Sequence, residues 1–207
     1  MINRFFSNGN KKIGKDTLIF NMTPALKCPS DKLGLCHNSQ ICYAKQAERM
    51  YPQVLPYRIR QMKWWKSVDP LRFSAHILSL KLRKRNIIKF IRLNESGDFT
   101  NQDDVEKISD SAKYLCRYGL IFYTYTARKD LVFHNYEKNL IINGSGFMLD
   151  NEYNVIGHKS MPKRGQRLCA MDCRGCMLCK ESKHRIIVVR RHGCGLKEIG
   201  KSLLVGE

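Results

Sequence analysis

Seven cysteines stand at spacings that suit metal chemistry. Four of them, Cys169, Cys173, Cys176 and Cys179, form the run "CAMDCRGCMLC", with gaps of three, two and two residues. Structural zinc is usually gripped by two cysteine pairs on separate knuckles, about a dozen or more residues apart. A continuous run resembles instead the compact loops that wrap a cubic iron–sulfur cluster, and Gly175 permits the tight turn that aims neighbouring sulfurs at one centre. The run is therefore read as holding an iron–sulfur cluster of the 4Fe–4S kind, with zinc as the alternative metal. The other three, Cys28, Cys36 and Cys42, lie in "LKCPSDKLGLCHNSQICYAKQ". Three thiolates leave one coordination position open, which a catalytic centre needs and a structural one does not. With His37 as fourth ligand, the same loop would make a closed Cys3His zinc site. Whether the two groups hold one metal site or two stays open. Cys116, on the edge of a helix, and Cys194, between glycines, are not read as ligands.

Disulfides are the weaker use for these thiols. The start "MINRFFSNGNKKIGK" has no apolar signal region and no run is long enough to span a bilayer. The expected compartment is the cytoplasm, which keeps thiols reduced, and the cysteine count of nine is odd. No membrane partner is expected. The net charge of +19 favours a polyanionic partner such as DNA or RNA.

The elements that must position these residues alternate. "DTLIFNMTP" (16–24), "NIIKFIRLN" (86–94), "LIFYTYTAR" (120–128) and "NLIING" (139–144) read as buried strands, and "RIIVVRR" (185–191) as a further one. Between them "SQICYAKQAERMY", "LPYRIRQMKWWKSV", "DPLRFSAHILSLKLRKR" and "TNQDDVEKISDSAKYLCRYG" read as helices. Asp69 caps the third ahead of Pro70, and Val105, Ile108, Ala112 and Leu115 share one face of the fourth. Strand–helix alternation implies right-handed crossovers and a parallel sheet covered on both faces. The division expected is an α/β domain over 1–160, carrying the first cysteine loop, and a basic cysteine-rich segment over 161–207. Ligands of such sheets sit beyond the carboxyl ends of the strands. There the chain places Asn21 and Thr23, then Asn94, Glu95, Ser96, Gly97 and Asp98, then Thr124, Thr126 and Arg128, then Asn143, Gly144, Ser145 and Gly146. Turn chemistry accounts for the small polar residues one strand at a time. It does not account for a Glu and an Arg on the same rim.

"NMTPALKCPSDKLGLCHNSQICYAKQAE", "FIRLNESGDF", "FYTYTARKDL", "INGSGF" and the late cysteine run together resemble the phage- and plasmid-encoded family known as gene product eighty-eight, over about residues 17–180. The "CYA" and "SGD" elements are also similar to phage-encoded proteins with a partial barrel like that of radical S-adenosylmethionine enzymes. "CAMDCRGC" matches the C-x3-C-x2-C run of those enzymes, although it stands near the C-terminus and not after the first strand. The resemblance implies a parallel-sheet partial (β/α) barrel with a cysteine-rich appendage, and places Cys28, Cys36 and Cys42 in the strand-one cluster loop. On that reading Glu95 and Asp98 accept the ammonium of S-adenosylmethionine, Ser145 and Asn143 contact its carboxylate or ribose, and Arg128 meets an anionic substrate group. Asn21, Asn94, Ser96 and Thr126 complete the cofactor-binding rim.

The competing expectation makes the metal groups structural and the basic segments functional. "YRIRQMKWWK" with Trp64 and Trp65, "KLRKR" (81–85) and "RIIVVRRH" interleave aromatics with cations that could stack on bases and track phosphates.

Overall fold

The computed structural model describes residues 5–83, 85 and 87–191. Cys194, the end of the segment 161–207, and positions 84 and 86 of the basic and strand segments lie outside them.

The strands join in one eight-stranded sheet of order β1-β2-β3-β4-β5-β6-β8-β7, parallel throughout except for the short β1. They are β1 (Ser7–Asn8), β2 (Thr17–Phe20), β3 (Phe90–Leu93), β4 (Ile121–Thr126), β5 (Leu140–Ser145), β6 (Asn151–Ile156), β7 (Gln166–Leu168) and β8 (Ile186–Arg190). Among the described residues β1 and β7 are edges that do not pair with each other, so the sheet is open. Its four central strands are the apolar runs expected from the sequence, in mutual register: Leu18 opposite Ile91, Ile91 opposite Phe122, and Phe122 opposite Leu140. Residues 161–191 are not an attachment outside this sheet, since β7 and β8 belong to it.

Helices cover one face. After α1 (Pro29–Lys32) and α2 (Tyr43–Met50) come α3 (Val54–Ser67), α4 (Pro70–Arg83) and α5 (Gln102–Cys116). Pro56 falls in the first turn of α3, not before it, where its missing N–H costs nothing because first-turn donors have no partner inside the helix. Asp69 caps α4 by accepting from Arg72 N at 2.8 Å, and Asn101 caps α5 by accepting from Asp104 N. Trp65, Phe73, Ile77 and Leu80 meet Val105, Ile108, Ala112 and Leu115 over Leu18, Phe20, Ile91, Phe122 and Ile142. This is the main core.

The other face carries Phe90, Tyr123 and Ile141, and its cover is the late cysteine run. Met177 packs against these residues. Lys180, 4% exposed, sets its ammonium 3.9 Å from the centre of the Phe90 ring and donates to the Cys173 carbonyl. Asn143 donates to the carbonyls of Thr124 and Cys179, and Asn151 to Asn143 and the Glu181 carbonyl. Two carbonyls at the end of the run, those of Cys179 and Glu181, are thus met by strand side chains.

The β5–β6 link departs from the usual rule. Parallel neighbours ordinarily need a crossover of about a dozen or more residues, yet only 146–150 separate these two strands. The chain folds straight back: Asp150 N donates to the Ile142 carbonyl, and the Asp150 carboxylate accepts from Ile142 N. Gly144 makes room, since a Cβ there would lie 2.2 Å from the Phe147 carbonyl oxygen. β6, "NEYNVI", lacks apolar alternation and was not legible as a strand.

Truncating Ile77 to Ala, in the main core with no exposure, should cost about 2–5 kcal/mol. Leu82→Ala, 60% exposed on the same helix, should cost less than about 0.5 kcal/mol. Denaturant midpoints at constant m-value would show the contrast.

Candidate functional site

A cleft of about 230 Å³ opens at the carboxyl edge of the sheet. One wall is the loop after β2, bearing Cys28, Cys36 and Cys42 with Tyr43. The opposite wall is formed by Asn94–Asp98 after β3, Tyr125–Ala127 at the end of β4, Ser145, Tyr153 and Val155, and Val189–Arg191. Arg92 also lines it. The first cysteine group and most of the polar rim therefore face one space.

The rim is held by two buried carboxylates. Glu48 of α2, 5% exposed, accepts from Ala25 N at 2.6 Å, Leu26 N at 2.9 Å and Ser96 Oγ at 3.0 Å. It also pairs with the buried Arg58 of α3 at 2.9 Å. This one side chain ties the start of the cysteine loop, the strand-three rim and two helices. Sequence reading missed it; a lone Glu in an amphipathic helix gives no sign of which way it points. Asp98 is the second. Its oxygens accept from Phe99 N, Ala127 N and Ser30 Oγ, and its own N–H and C=O bracket Thr23 Oγ1. Burial raises its carboxyl above the ordinary 3.8, against the pull of those hydrogen bonds. Gly97, at φ +73°, passes so close to Thr23 that a Cβ would lie 2.1 Å from Oγ1.

The expected site residues thus divide. Glu95, Asn94, Ser96, Asp98, Thr126 and Ser145 line the cleft. Of these, Glu95 keeps its carboxylate without a hydrogen-bond or ion-pair partner among the described residues; its carbonyl accepts from Tyr43 Oη. Asp98 has both oxygens engaged within the chain. Asn21, Asn143 and Arg128 do not line the cleft. Asn21 joins Gln61 to Ser96 N, Asn143 holds the Cys179 carbonyl, and Arg128 clamps Asp130 and the carbonyls of Phe99 and Thr100. Their polar groups are spent on the fold. Arg92, Tyr125 and Tyr153 line the cleft without having been singled out, because strand residues in an apolar run look like core.

The described cysteines are free thiols, Cys116 exposed and the seven candidates half-buried. Burial pushes Cys28 from 9.0 up to about 12, with Asp98 and Cys36 adding to the rise, and Cys36 also goes up, through burial and then in part through Cys42. Cys179 is likewise pushed up to about 12 by burial; a Tyr125 hydrogen bond offsets part of this and Cys169, Cys176 and Cys173 add to it. The thiols of each group are near enough to feel one another's charge. Among the described residues, no three His, Cys, Asp or Glu side chains converge as a metal site. The thiols suit a soft metal by type, though in this structure they do not converge on one centre. His37 is exposed beside Gly146 and does not line the cleft.

The basic segments look different once folded. Trp65 is buried and donates to Asp104, and Trp64 stacks on Phe5 at 4.2 Å. The Trp65 indole is not presented for stacking on bases, whereas Trp64, half-buried, borders an open surface pocket with Arg60 and Lys63. No helix among the described residues is long and apolar enough to cross a membrane.

The profile of the family described as gene product 88 matches residues 4–172. The chain belongs to the gene product 88 family. The match takes in the cysteine loop, the cleft lining as far as Val155, and Cys169, and ends before Cys173 and the cleft residues Val189–Arg191. No curated protein and no solved structure matches the chain.

Two outcomes test this account. Glu48→Ala leaves the buried Arg58 unpaired and should cost about 3–5 kcal/mol in denaturant unfolding. Stability of the chelated, reduced protein should fall as pH rises above 9.0 toward about 12, because thiols ionise first in the unfolded chain while buried Cys28 and Cys179 keep their protons. Replacing Cys28 and Cys179 by Ala should flatten that slope between about pH 8 and about pH 10.

Proposed function

We propose that this member of the gene product 88 family binds an iron–sulfur cluster through Cys28, Cys36 and Cys42, and acts as a mobile-element enzyme of the radical S-adenosylmethionine type on an open, partial-barrel-like parallel sheet. The observation that carries this reading is the shared cleft: three cysteines face the polar ends of β3, β4 and β5 across one space. A cluster held by three thiolates supplies, when bound, one open coordination position and a redox electron. The remaining work belongs to the chain. Glu95, its carboxylate uncommitted, accepts the ammonium of S-adenosylmethionine. Ser145 and the Ser96 backbone border its polar parts, and Tyr43 fixes the Glu95 backbone. Asp98, assigned by resemblance to the same ammonium, instead shapes the loop that presents Glu95. The late run, Cys169, Cys173, Cys176 and Cys179, holds a second cluster or a zinc ion against the second face of the sheet.

The nucleic-acid reading draws less support, because Trp65 is turned inward and the ring of Trp64 is already stacked on Phe5. Anaerobic purification should yield iron and acid-labile sulfide. The reduced protein should bind S-adenosylmethionine, with Glu95→Gln weakening that binding by about tenfold while iron content is unchanged. Stoichiometric zinc without iron, or equal binding by Glu95→Gln, would overturn the proposal. Retention of RNA or DNA with a steep salt dependence and no S-adenosylmethionine binding would favour the alternative.

A further inference from the structure

Arg92 and Tyr123 are register partners on adjacent strands, β3 and β4. Alternation puts both on the sheet's second face, the one bearing Phe90 and Tyr125. Arg92 Nε and Tyr123 Oη are each buried without a hydrogen-bond partner. No oxygen or sulfur among the described residues accepts a hydrogen bond from the Arg92 guanidinium; the ring of Tyr125, 5.7 Å away, is its nearest recorded contact. Buried cations are ordinarily paired, and a buried donor left empty is costly. Tyr123, 2% exposed, does not line the cleft, whereas Arg92 does, as does Arg191. Glu95 shares the cleft yet forms no ion pair with Arg92.

The geometry points to an oxyanion-binding subsite in the cleft, in which Arg92 holds a phosphate or carboxylate group of a small ligand. A guanidinium fork matches either group with two parallel N–H donors. Arg191, which also lines the cleft, supplies further positive potential. Offsetting the charge of the late cysteines is a different role: Arg92 does lower the Cys173 thiol, though less than burial raises it, and no guanidinium N–H reaches a sulfur. The subsite shares the cleft with the proposed function but needs no metal, so it stands or falls separately from iron content and S-adenosylmethionine binding.

The test is calorimetric titration of the full chain, as isolated and at low salt, with inorganic phosphate and with succinate; whichever binds more tightly identifies the oxyanion. Arg92→Gln should weaken binding about tenfold or more, and Arg92→Lys less. A measurement on the unaltered protein guards against misfolded variants: phenylglyoxal modification of Arg92, mapped by mass spectrometry, should slow in the presence of the same anion. Binding of neither anion at about 10 mM, a concentration far above that needed by a built site, would overturn the subsite. So would equal binding by Arg92→Gln with native-like melting, or an Arg92 modification rate indifferent to both anions.

Discussion

A parallel sheet must be covered on both faces, and in this protein the two covers have different chemistry. Helices α3, α4 and α5 bury the first face with ordinary aliphatic and aromatic packing. The second face is closed by a non-helical run rich in cysteine, held by Asn143, Asn151 and Lys180. That run has little apolar area of its own. Its attachment depends on amide groups reaching out of the strands and on one ammonium lying over Phe90. The late cysteines are thereby fixed against the sheet.

The rim of the cleft shows how polar residues at strand ends are shared between structure and function. Glu48 and Asp98 are buried, surrounded by donors, and their removal would release the loops they join. Glu95, two residues after the last residue of β3, is half-buried with its carboxylate uncommitted. Residues of the same type, close in the chain, thus have opposite roles, and the difference lies in which donors the fold brings to each. Arg128 and Arg92 make the same contrast among the cations. Arg128 is saturated by Asp130 and two carbonyls, whereas the Nε of half-buried Arg92 is enclosed and unsatisfied.

The four central strands, the helix cap at Asp69 and the cysteine spacings were legible because each is a local pattern. Apolar runs, an Asp before a proline and gaps of two or three residues carry their meaning within a few positions. Membership of the gene product 88 family was legible in the same way, from short motifs. The strand β6 was not, since "NEYNVI" has neither an apolar run nor alternation and is a strand only because Asn151 pairs with Asn143 and β8 lies alongside.

By itself the sequence determined the α/β class, the placing of Cys28, Cys36 and Cys42 after the first strand of the parallel array, and the gathering of polar residues at strand ends. Only the tertiary structure decided which of those polar groups are free. Asn21, Asn143 and Arg128 are the same residue types as groups that bind ligands, but each meets donors or acceptors from segments distant in the chain, and a hydrogen bond made inside the fold is not available to a ligand. It also decided that Trp65 packs inward and that Arg92, inside an apolar strand, lines the cleft. The reason is common to all of them: local pattern sets backbone conformation and side-chain alternation, whereas the partner of a polar group is set by which distant strands and loops become its neighbours.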